Sequence, residues 1–284
     1  MNQYIFAHRG ASGYAPENTL EAFQLAAEMG AHGVELDVHI CRSGELVVTH
    51  DETVERVSDG EGWVKDLSLT ELKALRFNRT HPEYADARIP TLQEVFQLLR
   101  PTGLRINIEL KNSLIDYPEL EKKVIDLAVR EGMLEKVVFS SFNHYSMLRV
   151  KAIDPKLYCG LLYEASLVRP WAYAVALGMD AIHPHYSEVI TPGGNCAAAH
   201  KAGIEINTWT VNTPEALRAV MDYLFDTAGV NRICAGHDVN NPKSGRVMAK
   251  AGMTRVGVLR RAGVNNRGVV DEVLYDMLPD DPRP

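Results

Sequence analysis

Three carboxylates, two histidines and one arginine sit inside or at the ends of short apolar runs, where unpaired polar side chains are costly. In GVELDVHI (33–40), strand alternation places Glu35, Asp37 and His39 on one face and Val34, Leu36 and Val38 on the other. In RINIELK (105–111), the same alternation sets Asn107, Glu109 and Lys111 opposite Ile106, Ile108 and Leu110. If Glu35, Asp37 and Glu109 converge, they make an all-oxygen site for a hard divalent cation, Mg²⁺ or Ca²⁺ in preference to Zn²⁺. The bland alternative is that acids at strand ends are solvated or paired with Lys111 and Arg105. Three of them within otherwise apolar strands argue against it. His8 and Arg9 follow the first apolar run, and His50 ends ELVVTH. Arginine grips phosphate through two parallel hydrogen bonds, and histidine exchanges a proton near neutral pH, so the set suits phosphate-ester chemistry. A lone histidine is commonly structural; here Arg9 and the acids give the histidines a context. His183 and His185 share a face of DAIHPHY, and His185 is placed to reach the same mouth.

Those residues need a frame that brings strand ends together. Apolar or β-branched runs alternate with helical patterns: YIFAHRG then TLEAFQLAAEMG, RINIELK then PELEKKVIDLAVREG, KVVFSSF then HYSMLRVKAID. The alternation continues through KLYCGLLY, DAIHPHY and INTWTVN, each followed by a helical stretch. Seven strand–helix units fit before residue 226, and eight would close a TIM-type (β/α)8 barrel with its active site at the C-terminal ends of the strands. Gly30, Gly132, Gly178 and Gly203 each follow a helical stretch, where a left-handed C-cap calls for glycine. The connection 51–90 is too long for an ordinary loop and reads as an insertion over the barrel mouth.

Composition narrows the class. The 284 residues suffice for one barrel, and 46% hydrophobic with 24% charged residues is ordinary for a globular protein. A net charge of −7 gives no long-range pull on nucleic acid. No apolar run nears the roughly 20 residues of a membrane span, and MNQYIFAHRG carries no leader pattern, so a cytoplasmic location is expected. Cys41, Cys159, Cys196 and Cys234 show no CxxC spacing and are expected as buried free thiols. A homodimer is left open.

AHRGASGYAPENT, GVELDVHICRSGELVVTHDETVERVSDGEGWV, NIELK, SSF and WTVN occur in this order, and over about residues 1–223 the chain resembles the glycerophosphodiester phosphodiesterase family. The resemblance implies a barrel in which His8 and His50 serve as general acid and base, Glu35, Asp37 and Glu109 hold a divalent metal, and Arg9 grips phosphate. It further implies that Glu17 and Lys111 line or brace the site and that Phe142 and Trp209 wall it. The reaction it implies is hydrolysis of a small glycerophosphodiester, such as glycerophosphocholine or glycerophosphoethanolamine, to glycerol 3-phosphate and an alcohol. Phosphoinositide and sphingomyelin-type phosphodiesterases are the related alternatives. Trp209 could meet a choline group by cation–π attraction, with barrel-core packing as the competing role.

After residue 223 the family pattern of the type GVDGIITDYPD is absent. Residues 224–278, with VNRICAGHDVNNPKSGRVMAKAGM, instead resemble the C-terminal end of the GCN5-related N-acetyltransferases, with Asn241 and Ser244 matching residues near that family's coenzyme A end. The glycine-rich pyrophosphate loop of that family is missing, which argues against acetyl transfer. GVNRICAGHDV aligns with the missing segment, so the eighth strand is expected to be atypical or supplied by this foreign run, with the remaining helix and strands packed outside or loose. Loss of register at that strand would leave a catalytically impaired scaffold.

Overall fold

The chain folds as alternating strands and helices, and the computed structural model describes residues 5–190, 196–226, 229–240, 242–265 and 268–282. It divides into two units, Met1–Leu162 and Tyr163–Pro284. In the first, β1 (Phe6–His8), α1 (Leu20–Glu28), β2 (Gly33–Ile40) and β3 (Leu46–Val48) lead to α2 (Leu69–Ala74) and α3 (Leu92–Leu99). Then β4 (Arg105–Leu110), α4 (Leu120–Arg130), β5 (Val137–Ser141), α5 (His144–Ile153) and β6 (Cys159–Tyr163) follow. Strands β1, β2, β4, β5 and β6 run parallel in chain order, and β3 folds back antiparallel on β2. This is the α/β barrel class, with its strands in sequential order.

The alternation read from the sequence decides which side chains are sealed. Val34, Leu36, Val38, Ile106 and Ile108 are wholly buried, together with Phe23 of α1 and Phe96 of α3. The opposite, polar faces of β2 and β4 are brought level by register: His8 pairs with Glu35, Glu35 with Asn107, and Asp37 with Glu109. A slip of one residue would turn every one of these groups into the apolar layer. Helix ends obey local signals. Thr19 caps α1 by accepting from Ala22 N–H, and Ser68 and Thr91 head reciprocal capping boxes with Glu71 and Glu94. The four glycines expected as C-caps, Gly30, Gly132, Gly178 and Gly203, all have positive φ. The insertion has a small core of its own, Val54, Val57, Val64, Leu72, Phe77 and Ile89 around Cys41 and Val47.

In the second unit, α6 (Pro170–Ala176), β7 (Ala181–Pro184), α7 (Tyr186–Ile190), α8 (Cys196–Lys201), β8 (Glu205–Ile206) and α9 (Pro214–Asp226) continue the alternation. β7 and β8 are parallel. Beyond them lie β9 (Ile233–Asp238), α10 (Pro242–Lys250), β10 (Thr254–Asn265) and β11 (Gly268–Met277). GVNRICAGHDV forms β9, but β9 does not act as an eighth barrel strand. Its residues Ile233 to Asp238 pair antiparallel with β11, which in turn pairs with β10. The ten-residue β11 offers a long nearby partner, so the tail satisfies its own backbone. Among the described residues the eighth strand is therefore atypical, and the tail is packed rather than loose: Met221 and Phe225 of α9 share a core with Ile233, Ala251, Met253 and Met277. Asn241 and the Ser244 side chain lie outside the described residues. Cys41, Cys159 and Cys196 are buried free thiols, whereas Cys234 is exposed because alternation along β9 turns it away from Ile233 and the core. No helix among the described residues is long and apolar enough to cross a membrane.

Truncation within the insertion core tests whether that segment folds as packed structure. Leu72→Ala should cost about 2 to 5 kcal/mol in urea unfolding, with new proteolytic cleavage between residues 51 and 90. An unchanged midpoint and unchanged cleavage would contradict the packing described.

Candidate active site

The site begins at the turn after β1. Arg9 and Gly10 both have positive φ, 57° and 79°, and a Cβ on Gly10 would lie 2.7 Å from the Ala22 carbonyl carbon, so only glycine permits this close approach. The turn aims Arg9 N–H at Glu35 Oε2, 3.0 Å away. The Arg9 guanidinium donates from Nη1 to Glu17 Oε1 at 2.9 Å, and its Nε lies 3.7 Å from Asp37 Oδ2. Asn18, also at positive φ, donates its backbone N–H to Arg9 O and its Nδ2 to Asp37 Oδ2 at 2.9 Å. Non-glycine residues held in this region of φ concentrate at functional sites.

Glu35, Asp37 and Glu109 each present an oxygen within 4.8 Å of the others. Lys111 Nζ donates to Glu109 Oε1 at 2.9 Å and lies 3.8 Å from Asp37 Oδ1, so the acid–Lys111 pairing weighed as an alternative also exists. It does not exhaust the acids, because Asp37 Oδ1 is buried without a hydrogen-bond partner. Three carboxylates around an orphaned buried oxygen fit a hard divalent cation. His8 Nε2 stands 3.8 Å from Glu35 Oε2.

The second histidine is built differently. β3 returns the chain alongside β2, and His50 Nδ1 meets Asp51 Oδ1 at 2.5 Å. Arg56 donates from Nε to Asp51 Oδ2 at 2.5 Å and from Nη1 and Nη2 to both Glu17 oxygens at 2.8 Å. One guanidinium from the insertion thus holds the carboxylate behind His50 and the carboxylate behind Arg9.

Burial and charge set the protonation states. Burial, then the negative charges of Asp37 and Glu109, drives the Glu35 carboxyl well above the usual carboxylate range. Burial and Asp37 push Glu109 up to about 7. Burial also pushes Asp37 upward, but Lys111, His50, Arg9 and the Asn18 hydrogen bond reverse it, and Asp37 is held below its usual value. Asp51 is likewise brought to about 2 against burial, chiefly by Arg56. Burial and the Arg9 charge lower His8 to about 4, leaving it neutral at pH 7. For Glu109 the folded value exceeds its ordinary 4.5, so between these pH values the folded state keeps a proton that the unfolded chain has lost. Its contribution is therefore intact below about 4.5 and is lost as pH rises through about 7. In EDTA, Glu109→Gln should gain stability relative to the unmutated protein as pH rises from about 5 to about 8, read by urea midpoints. A pH-independent difference would contradict this electrostatic picture.

Phe142 follows β5 in the first unit and is 40% exposed. His185 and Trp209 belong to the second unit and are described within it. Their rings meet edge to face at 5.1 Å, and Trp209 Nε1 donates to the His183 carbonyl at 2.8 Å. His183 is buried and held near Asn207 Nδ2 by its Nε2, and burial lowers it to about 4, the behaviour of a structural histidine. Asn18, Asp51 and Arg56 had no role in the sequence reading. Asp51 could have been suspected from its adjacency to His50. Asn18 lay unremarked inside APENT, and Arg56 gave no signal, because only the fold of the insertion returns it to the site.

A model of the glycerophosphoryl diester phosphodiesterase family matches residues 8–235. A glycerophosphodiester phosphodiesterase of Caldanaerobacter subterraneus subsp. tengcongensis is 42% identical over 222 residues, covering 78% of this chain and 90% of that protein. One from Bacillus altitudinis is 34% identical, covering 81% and 92%. Among solved structures, an Oleispira antarctica phosphodiesterase in complex with the product sn-glycerol-3-phosphate is similar, with a TM-score of 0.67 and 30% identity over 78% of this chain and 89% of that one. A Thermotoga maritima glycerophosphodiester phosphodiesterase gives 0.64 and 29% over 78% and 92%. With four-fifths of its length matched, the chain belongs to the glycerophosphoryl diester phosphodiesterase family.

Proposed function

We propose that the protein hydrolyses small glycerophosphodiesters, such as glycerophosphocholine and glycerophosphoethanolamine, to glycerol 3-phosphate and the free alcohol, with Mg²⁺ or Ca²⁺ bound. The observation that carries this reading is the meeting of Glu35, Asp37 and Glu109 beside two histidines and Arg9. Glu35, Asp37 and Glu109 would hold the cation, which when bound offsets charge on the phosphoryl oxygens. Arg9 is positioned by Glu17 to grip phosphate, and Lys111 braces Glu109 beside it. His8, neutral at pH 7, takes the proton from the nucleophile, either water or the substrate's own glycerol hydroxyl. A new P–O bond forms as the P–O bond to the alcohol breaks; where the glycerol hydroxyl attacks, water then opens the resulting cyclic phosphate to glycerol 3-phosphate. Asp51 is ionised and can only accept, so His50 carries a proton on Nδ1 and turns Nε2 outward. Protonated on both ring nitrogens, His50 would deliver its Nε2 proton to the departing alkoxide. Phe142 and Trp209 are assigned to the substrate walls, and His185 to a supporting role.

We assign residues 1–223 to the barrel and 224–284 to an acetyltransferase-like segment with a structural role. The shared core of α9 with β9, α10 and β11 supports that assignment.

Release of glycerol 3-phosphate from both substrates, measured with Mg²⁺, with Ca²⁺ and with EDTA, tests the reading. Turnover should require metal, and His50→Gln should lower kcat by about 10² to 10⁴-fold. Glu35→Gln should abolish turnover along with measurable metal binding. Folded, metal-loaded protein without turnover would replace the enzyme with a scaffold.

A further inference from the structure

His39 shares the strand face of Glu35 and Asp37, yet it is neither near enough to the acids to join them in the cation cluster nor exposed to substrate. It is fully buried. Its Nδ1 lies 3.1 Å from the Tyr117 hydroxyl and its Nε2 3.3 Å from the carbonyl oxygen of His50. A neutral imidazole offers one N–H and one lone pair. A carbonyl oxygen can only accept, which puts the proton on Nε2 and leaves Nδ1 to accept from Tyr117 O–H. The Tyr117 hydroxyl keeps that proton, since burial raises it above its usual value. Both ring nitrogens are thereby satisfied in a single tautomer. Tyr117 further packs its ring edge to face against the imidazole, with centroids 5.7 Å apart.

The carbonyl that His39 grips belongs to the peptide joining His50 to Asp51, the two members of the hydrogen-bonded pair. Rotation of that peptide would move both side chains at once. On the far side, Arg56 fixes the Asp51 carboxylate. The peptide is therefore held from the barrel interior by His39 and from the insertion by Arg56.

We propose that His39 and Tyr117 form a positioning relay for His50, in which Tyr117 O–H sets the His39 ring and His39 Nε2–H holds the His50–Asp51 peptide in its reactive orientation. The proposal deepens the phosphodiesterase reading and rests on it for its kinetic readout. His39 touches neither substrate nor reacting atoms, so its removal acts through His50 alone: the chemical step slows while substrate binding, made by Arg9 and the cation, persists.

The test compares His39→Leu, which keeps the volume but loses the donor, with His39→Gln, whose amide can reach the same carbonyl, and with Tyr117→Phe. A misplacement of about 1 Å can cost about 10²-fold in rate, so kcat of His39→Leu should fall about 10 to 10²-fold with KM within about 3-fold. His39→Gln should recover most of that loss, and Tyr117→Phe should lose less than His39→Leu. A readout independent of turnover is the downfield proton resonance of the His50–Asp51 hydrogen bond, observed by nitrogen-edited NMR of the metal-free protein. It should be sharp in the unmutated protein and in His39→Gln, and broadened in His39→Leu. If His39→Leu does not fold, Tyr117→Phe carries both measurements. Unmutated protein that fails to turn over overturns the phosphodiesterase reading, while the NMR comparison still decides the relay. A loss seen in KM instead of kcat, equal losses in the Leu and Gln variants, or an unchanged resonance in His39→Leu would overturn the relay.

Discussion

Crowding three carboxylates into one buried place is the constraint around which the first unit is arranged. Two unit charges about 4 Å apart repel by roughly 4 kcal/mol even at an effective dielectric of 20, so nothing local in the acids themselves favours the arrangement. It persists because parallel register forces Asp37 level with Glu109, and because neighbouring cations and donors share the strain. Lys111 and Arg9 lower Asp37 while Glu35 and Glu109 retreat toward the protonated form. The same inequality explains why the site suits a divalent cation: binding it would discharge the protons and remove the repulsion together.

The chemistry-bearing faces were legible because strand periodicity is a two-residue rule that needs no tertiary information. Glu35, Asp37, Glu109 and Lys111 fell on the faces the alternation assigned, and the glycine stops of α1, α4, α6 and α8 were equally local. What the chain alone concealed was long-range. Arg56 reaches Glu17 across 39 positions, and Tyr117 reaches His39 across 78. Neither pairing leaves a periodic trace, since each depends on how an irregular segment closes. The tail failed for another reason. Sequence register suggested β9 as a barrel strand, but a strand takes whichever partner offers the longer ladder, and β11 lies in the same segment.

The second unit shows how a foreign-looking run can be accommodated. Its three-stranded sheet satisfies its own backbone and lends an apolar face to α9, a helix that precedes it in the chain. Nothing in this arrangement requires the tail to take part in the chemistry. Its cost is a pair of sheet edges, β9 and β10, with Val256 and Val258 half exposed along the latter.

Arg56 carries a wider implication. The insertion has its own apolar core, and its Arg56 side chain bonds both Glu17, which holds Arg9, and Asp51, which meets His50. The mouth of the barrel is thus modular. A designer could exchange residues 52–90 for a shorter or longer cap, reshaping the space offered to the alcohol portion of a substrate, provided Asp51 is kept and the replacement returns one guanidinium to Glu17 and Asp51.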